Sequence, residues 1–180
     1  MTIAAIGNWD MTDDEFWSII ESAAVDGDCR ALAAAVEAAL SSLPAAEIIA
    51  FDEIRKAKLR ETYRWDLWGV AFVINGGCSD DGFEDFCHWL MTLGRRGYGQ
   101  ILQDPEAVIE FAPLHTTDRL QCEELMYAAT NAYAALTGDD HIPESVVGRD
   151  QRWPIGDRWD EDTVDLLLPR VAAWVNRRGT

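Results

Sequence analysis

At 180 residues the chain fits one domain, since a single core serves about 100–200 residues, and 48% apolar residues are enough to build that core without staples. A net charge of −17 repels phosphate backbones and excludes direct nucleic-acid binding through a broad basic face. The opening M-T-I-A-A-I-G-N-W-D-M lacks the positive region of a secretory signal, and no window reaches the ~20 apolar residues of a membrane span, so a cytoplasmic location without membrane attachment is expected.

A first helix is expected from Thr12, where T-D-D-E sets a capping hydroxyl three residues before Glu15, to about Val25. Phe16, Ile19, Ile20 and Ala23 form its inward stripe, with Trp17 and Ala24 beside it, and Gly27 ends it. Asp28 caps a second helix over Cys29–Leu40, rich in alanine and therefore intrinsically helical. A third runs from Ala45 to about Tyr63 behind Pro44, with Ile48, Phe51, Leu59 and Tyr63 on one face. Lys56, Arg60 and Arg64 make a basic stripe on another, partly neutralised by Asp52 and Glu53.

Leu67–Ile74 is too short and apolar for periodicity to separate helix from strand, and helical neighbours favour helix. Asn75-Gly76-Gly77 stops it, and Ser79 or Asp80 caps the next, which buries Phe83, Phe86, Cys87, Leu90 and Leu93. A short helix near Tyr98–Gln103, one at Pro105 behind Asp104, and a long one from Asp118 to Leu136 ended by Gly138 follow. In that last helix Leu125, Ala128, Ala129, Ala132 and Leu136 face inward. Residues 138–162 are irregular, with Trp153 and Trp159 expected to pack back on the body. A helical segment over 163–177, interrupted by Pro169, closes the chain. The expectation is an all-α, single-domain irregular bundle of about six to eight helices spanning 1–180, with a long Trp-containing C-terminal loop.

Eight tryptophans require polar partners for their indole N–H groups, so hydrogen-bonding groups should thread the core. They crowd most densely around Arg64, Trp65, Asp66, Trp68, Asn75, Ser79, Asp80, Asp81 and Trp89, the segment where a pocket would lie. Asp80 and Asp81 suit either a cation or proton transfer, while a helix cap and first-turn acids account for the same residues. Glu123 and Tyr127, one turn apart, are expected to turn inward toward Arg64 or Trp68. Cys29, Cys78, Cys87 and Cys122 form no C-x-x-C, and in a reducing compartment free thiols are expected, with no metal site. Cys87 and His88 lie on different helix faces, so His88 is not placed to activate Cys87. His115 and His141 fall in loop-like segments, and no phosphate-loop, dinucleotide, nucleophile-elbow or H-E-x-x-H signature occurs, so no cofactor is expected.

Three stretches, D-D-E-F-W near the start, Y-R-W-D-L-W-G-V-A-F-V-I-N-G-G-C-S-D-D-G-F-E-D-F-C-H-W-L over 63–90, and E-E-L-M-Y-A-A-T-N-A-Y from Glu123, resemble the bacterial domain-of-unknown-function family 4240. The resemblance covers about residues 11–136 and brings no activity, substrate or catalytic residue with it. Its pattern often has a basic residue before the tryptophan of F-x-x-W-L, where this chain has Cys87 and His88. Acidic ends and missing catalytic signatures favour a binding or regulatory protein with a more basic protein partner. The alternative is an enzyme acting on a small polar substrate through carboxylates of the 66–85 segment, with Trp65, Trp68 and Trp89 as pocket walls.

Overall fold

The computed structural model describes residues 11–23, 28–112, 119–143 and 153–178. The expected helix stop at Gly27, the start at Asp118 and His115 lie outside them. Local chemistry sets the first three helices. Thr12 and Glu15 close a reciprocal capping box on α1 (Asp13–Ser22), and Asp28 accepts the Ala31 N–H at the head of α2 (Cys29–Leu40). Pro44 precedes α3 (Ala45–Thr62), which ends one residue before Tyr63.

Arg64 then takes an extended conformation, which removes it from the basic stripe expected on α3. It pairs with Ile155 in an isolated parallel bridge: Ile155 N–H donates to the Tyr63 carbonyl, and Trp65 N–H to the Ile155 carbonyl. The ambiguous apolar run is helical, α4 (Trp65–Asn75), stopped by Gly76 at φ 66°. Ser79 Oγ accepts the Gly82 N–H at the head of α5 (Asp80–Thr92). α6 (Gly94–Gln103) begins four residues before the expected Tyr98. A 3₁₀ helix over Pro105–Glu110 stands at the Pro105 start, with the Asp104 side chain turned to Arg170 instead of capping it.

The long helix expected from Asp118 begins only at Glu124, as α7 (Glu124–Thr137). Residues 119–123 are held as a strap instead, because their donors are used across the fold: Leu120 N–H on Asn75 Oδ1 and Cys122 N–H on the Asp85 carbonyl. Leu136, expected inward, is 51% exposed, next to the last residue of α7, Thr137. α8 (Val164–Leu167) and α9 (Pro169–Arg178) are separated at Pro169 as expected. Trp159 packs on Trp65 and Phe72, whereas Trp153 is 77% exposed and does not pack back as expected.

The fold is all-α, and among the described residues no strand occurs and no helix is long and apolar enough to cross a membrane. Its core gathers Phe16, Phe51, Leu67, Phe83, Phe86 and Leu125, all essentially inaccessible. Burying each such side chain stabilises the fold by roughly 1.5–3 kcal/mol. α2 packs most extensively on α7, where Ala33, Ala128, Ala129 and Ala132 are buried and their small size permits close approach of the two axes. α9 lies over α4 and the 3₁₀ helix, burying Val171 and Trp174. Glu106 accepts the N–H groups of Arg170 and Val171 at 2.6 and 3.0 Å, so a carboxylate from the 3₁₀ helix caps the positive end of α9.

Candidate functional site

The tryptophan-rich middle folds inward as a ladder of rings. Trp65 stacks on Trp68 at 5.4 Å, Trp68 on Phe83 at 4.9 Å, and the line continues through Phe86 to Trp89. Each contact of this kind contributes about 0.5–1.5 kcal/mol beyond area burial. Indole donors find backbone acceptors, as the composition requires: Trp68 Nε1 donates to the Cys78 carbonyl and Trp159 Nε1 to the Trp65 carbonyl. Trp65, Trp68 and Trp89 therefore belong to one row of stacked rings and do not face one another as pocket walls.

The polar residues of the same segment separate into structural stations. Arg64 forks onto Asp66 at 3.0 and 2.5 Å and donates to the Leu102 carbonyl, tying the head of α4 to the end of α6. Asn75 receives the strap, and Ser79 caps α5. Asp80 and Asp81 are exposed first-turn acids, of which Asp80 lies near enough to Tyr63 to raise its phenol, after the larger effect of burial. Tyr127 on α7 bonds Glu123, just before that helix, at 3.3 Å, but both are exposed and do not reach inward to Arg64 or Trp68. An open groove of about 530 Å³ lies elsewhere, between α1 and the head of α6, bordered by Asp14, Trp17, Glu21 and Arg95.

Carboxylates do converge where the strap ties the N-terminal half of α5 to the head of α7. The Asp85 carboxyl is pushed up to about 6, first by burial and then by the charges of Glu123, Glu84, Asp81 and Glu124. The converging potential follows from the strap, because the Asp85 carbonyl accepts the Cys122 N–H and so sets Glu123 and Glu124 beside it. Cys78 borders this region, its thiol raised to about 11 chiefly by burial.

Cys29 and Cys122 are joined by a disulfide, 93 residues apart in sequence, contrary to the free thiols expected for all four cysteines. The bond arises because α2 and α7 pack side by side from their heads, a proximity that spacing along the chain does not reveal. Cys78 and Cys87 are the free pair. Two groups of three possible metal ligands occur among the described residues. In Cys29, Cys122 and Glu124 the sulfurs are bonded to each other, which leaves no thiolate ligand. In Asp139, Asp140 and His141 all three residues are exposed and His141 Nδ1 is engaged with Asp140.

The most buried polar constellation was outside the expected set. Asp52, 3% exposed, accepts Arg55 Nε and Nη2 on one oxygen at 2.9 and 2.7 Å and pairs with Lys56 through the other. Arg55 Nη1 stands 2.7 Å from Nε2 of the inaccessible His88. A guanidinium has only donors, so Nε2 is the acceptor and the ring proton sits on Nδ1, which lacks a well-formed partner and is turned toward the Glu84 carbonyl. Burial first, and the Arg55 charge second, depress His88 to about 3, so the ring is neutral. The base position before Trp89 is thus filled by an uncharged acceptor for Arg55. Asp52 and His88 had no local signal: the first reads as a surface neutraliser of Lys56, the second as one residue off the inward stripe.

Chemically, this triad is a buried core network short of one partner at His88 Nδ1, and Cys87 beside it is inert, its thiol pushed far up by burial. The acid convergence instead sets like charges beside one another near the surface, where a cationic partner would relieve their repulsion.

A family model described as "Protein of unknown function (DUF4240)" matches residues 11–135. No curated protein and no solved structure matches the chain.

Proposed function

We propose that this chain, which belongs to the DUF4240 family of proteins of unknown function, is a small acidic binding or regulatory protein that receives a basic protein partner on the carboxylate face of α5 and α7. The observation that carries this reading is the gathering of acids by the strap, in which the Cys122 N–H on the Asp85 carbonyl brings Glu123 beside Asp81, Glu84 and Asp85; burial first, and these charges after it, raise the Asp85 carboxyl. A lysine- or arginine-rich segment laid across these groups would relieve the repulsion, return Asp85 to full ionisation and gain affinity from it. The protein works in the cytoplasm, without a cofactor and without direct contact to nucleic acid or membrane.

Titration of the full chain with an oligolysine peptide at low and physiological salt tests the reading, with Glu84→Gln, Asp85→Asn and Glu123→Gln combined as the face-neutral variant. Three neutralised acids of the C-terminal segment, Asp160→Asn, Glu161→Gln and Asp162→Asn, hold net charge equal as the control. The native protein and the control are expected to bind in a salt-sensitive way and the face-neutral variant to lose most of its affinity. Equal binding by the two triple variants would place the partner surface elsewhere.

A further inference from the structure

We propose that the Cys29–Cys122 disulfide is a reversible thiol switch that assembles the acidic face when oxidised and frees the 119–123 strap when reduced. The inference rests on the binding face proposed above and adds its regulation. Three observations converge on the strap. Cys29 is the first residue of α2 and is half-buried, whereas Cys122 is inaccessible, so of the two cysteines Cys29 is the one nearer solvent and the side from which exchange would begin. The strap is held by few bonds: Leu120 N–H on Asn75 Oδ1 at 3.0 Å, Cys122 N–H on the Asp85 carbonyl at 2.9 Å, and Gln121 Nε2 on the Gly82 carbonyl at 3.5 Å. It ends at Glu123 and Glu124, which it presses toward Asp81, Glu84 and Asp85 against like-charge repulsion. The Glu124 carboxylate also stands 3.3 Å from Cys29 Sγ, and Arg30 is the cation that reaches it.

With the bond cut, the strap is held by its hydrogen bonds alone, and like charge on Asp81, Glu84 and Asp85 favours movement of Glu123 away from Asp85. The packing of α2 on α7 has apolar support besides the bond, since Leu32, Val36 and Leu40 on one helix and Leu125, Ala128 and Ala132 on the other are buried in the common core. Reduction is therefore local. In the cytoplasmic setting proposed above, a disulfide of this kind is transient and reports redox state.

The exchange balances with a dithiol as reductant. Its thiolate attacks Cys29 Sγ, the Cys122 sulfur leaves with the bonding pair and takes a proton, and the second thiol of the reductant then displaces the Cys29 sulfur. Two protein thiols and one cyclic disulfide result, with two electrons passed to the protein. Oxidised glutathione, a small disulfide, reverses the change by the same two displacements.

The test compares the full chain oxidised and after dithiothreitol, by amide hydrogen exchange at Leu120 and Cys122, by the NMR titration of Asp85, and by oligolysine binding. On reduction the two amides are expected to exchange about tenfold faster or more, the Asp85 midpoint to move down toward the ordinary carboxylate range, and the peptide to bind more weakly, with α2 and α7 amides still protected. Cys29→Ser, a change at the half-buried sulfur, should reproduce the reduced protein and be indifferent to dithiothreitol. Unchanged exchange and an unchanged Asp85 midpoint would overturn the switch, as would global loss of protection in both reduced protein and variant. Failure of the oxidised protein to bind oligolysine overturns the binding face, and the exchange and titration data then judge the strap by themselves.

Discussion

Substitution of Asp52 by Asn keeps the shape of the side chain and removes its charge, so it isolates what the buried anion does for Arg55. In the native fold the guanidinium is 6% exposed, receives two contacts from one Asp52 oxygen, and otherwise meets the neutral imidazole of His88. Without the anion it stays buried and uncompensated, a defect that costs about 3–5 kcal/mol when one member of a buried ion pair is lost. Lys56 also loses a partner, but it is 29% exposed and has Glu53 at 3.7 Å, so its share is at most about 1 kcal/mol. Urea unfolding followed by tryptophan fluorescence measures the sum: with a slope of roughly 2 kcal/mol per molar, the midpoint should fall by about 1.5–2.5 M at unchanged slope. Asp52→Leu combined with Arg55→Met removes both charges and should recover most of the loss, because the penalty belongs to the orphaned ion. A single-variant loss below about 1 kcal/mol, or a double variant as unstable as the sum of its parts, would refute this account of the triad.

His88 gives the fold an acid sensitivity of definite sign. Its ordinary value of 6.5 is lowered to about 3 in the fold, so the unfolded chain binds a proton that the folded chain refuses between those values. Stability should fall as pH drops through that window, by up to about 1.4 kcal/mol per pH unit, and His88→Gln should flatten the slope; an unchanged slope in unfolding experiments from pH 7 to 4 contradicts it. For the disulfide, with 93 residues between the sulfurs, Cys29→Ser should cost about 2–4 kcal/mol in oxidised protein and almost nothing when both proteins are compared under reductant. A methyl on Gly69 would stand 3.1 Å from Trp159 Nε1 and from Val164 Cγ2, tighter than ordinary contact, so these side chains of the C-terminal segment must give by a few tenths of an ångström to admit it. Gly69→Ala should therefore cost about 1–3 kcal/mol and loosen the 153–164 segment, seen as faster exchange of the Trp65 amide that bonds Ile155; wild-type exchange rates there would exclude it.

The parts of the fold that could be read from residue order are those that local chemistry decides. Thr12 with Glu15, Asp28, Ser79, Gly76 and Gly138 mark ends through side chains or backbone conformations acting within four residues, and the helices they bound fall close to the expected places. The start of α7 shows the opposite case. Asp118 onward has helical periodicity, but the N–H groups of Leu120 and Cys122 have partners on α4 and α5, and those partners are 45 and 37 residues away in sequence. The same distance hides the site. Arg55 and His88 are 33 residues apart and Cys29 and Cys122 are 93 apart, so no window contains either constellation. Glu123, expected on the long helix, stands just before α7 and still bonds Tyr127 one turn on, but which way the pair faces depends on α2 and α3 covering the other side of α7. The aromatic middle was legible as inward-folding because tryptophan demands both burial and an acceptor; its arrangement as a single row was not, because periodicity says nothing of ring planes.

The C-terminal segment clasps α4 from beyond the portion of chain that the family model covers. Val164, Val171 and Trp174 are shielded there, Trp159 hangs its indole on the Trp65 carbonyl, and Ile155 zips to either side of Arg64. A fragment trimmed to the matched region would bare an oily trough along α4 and strip the latch from its first turn. What defines the family and what is needed to make a well-behaved piece of this polypeptide are thus two different lengths, and expression of the shorter one should yield sticky, aggregation-prone material.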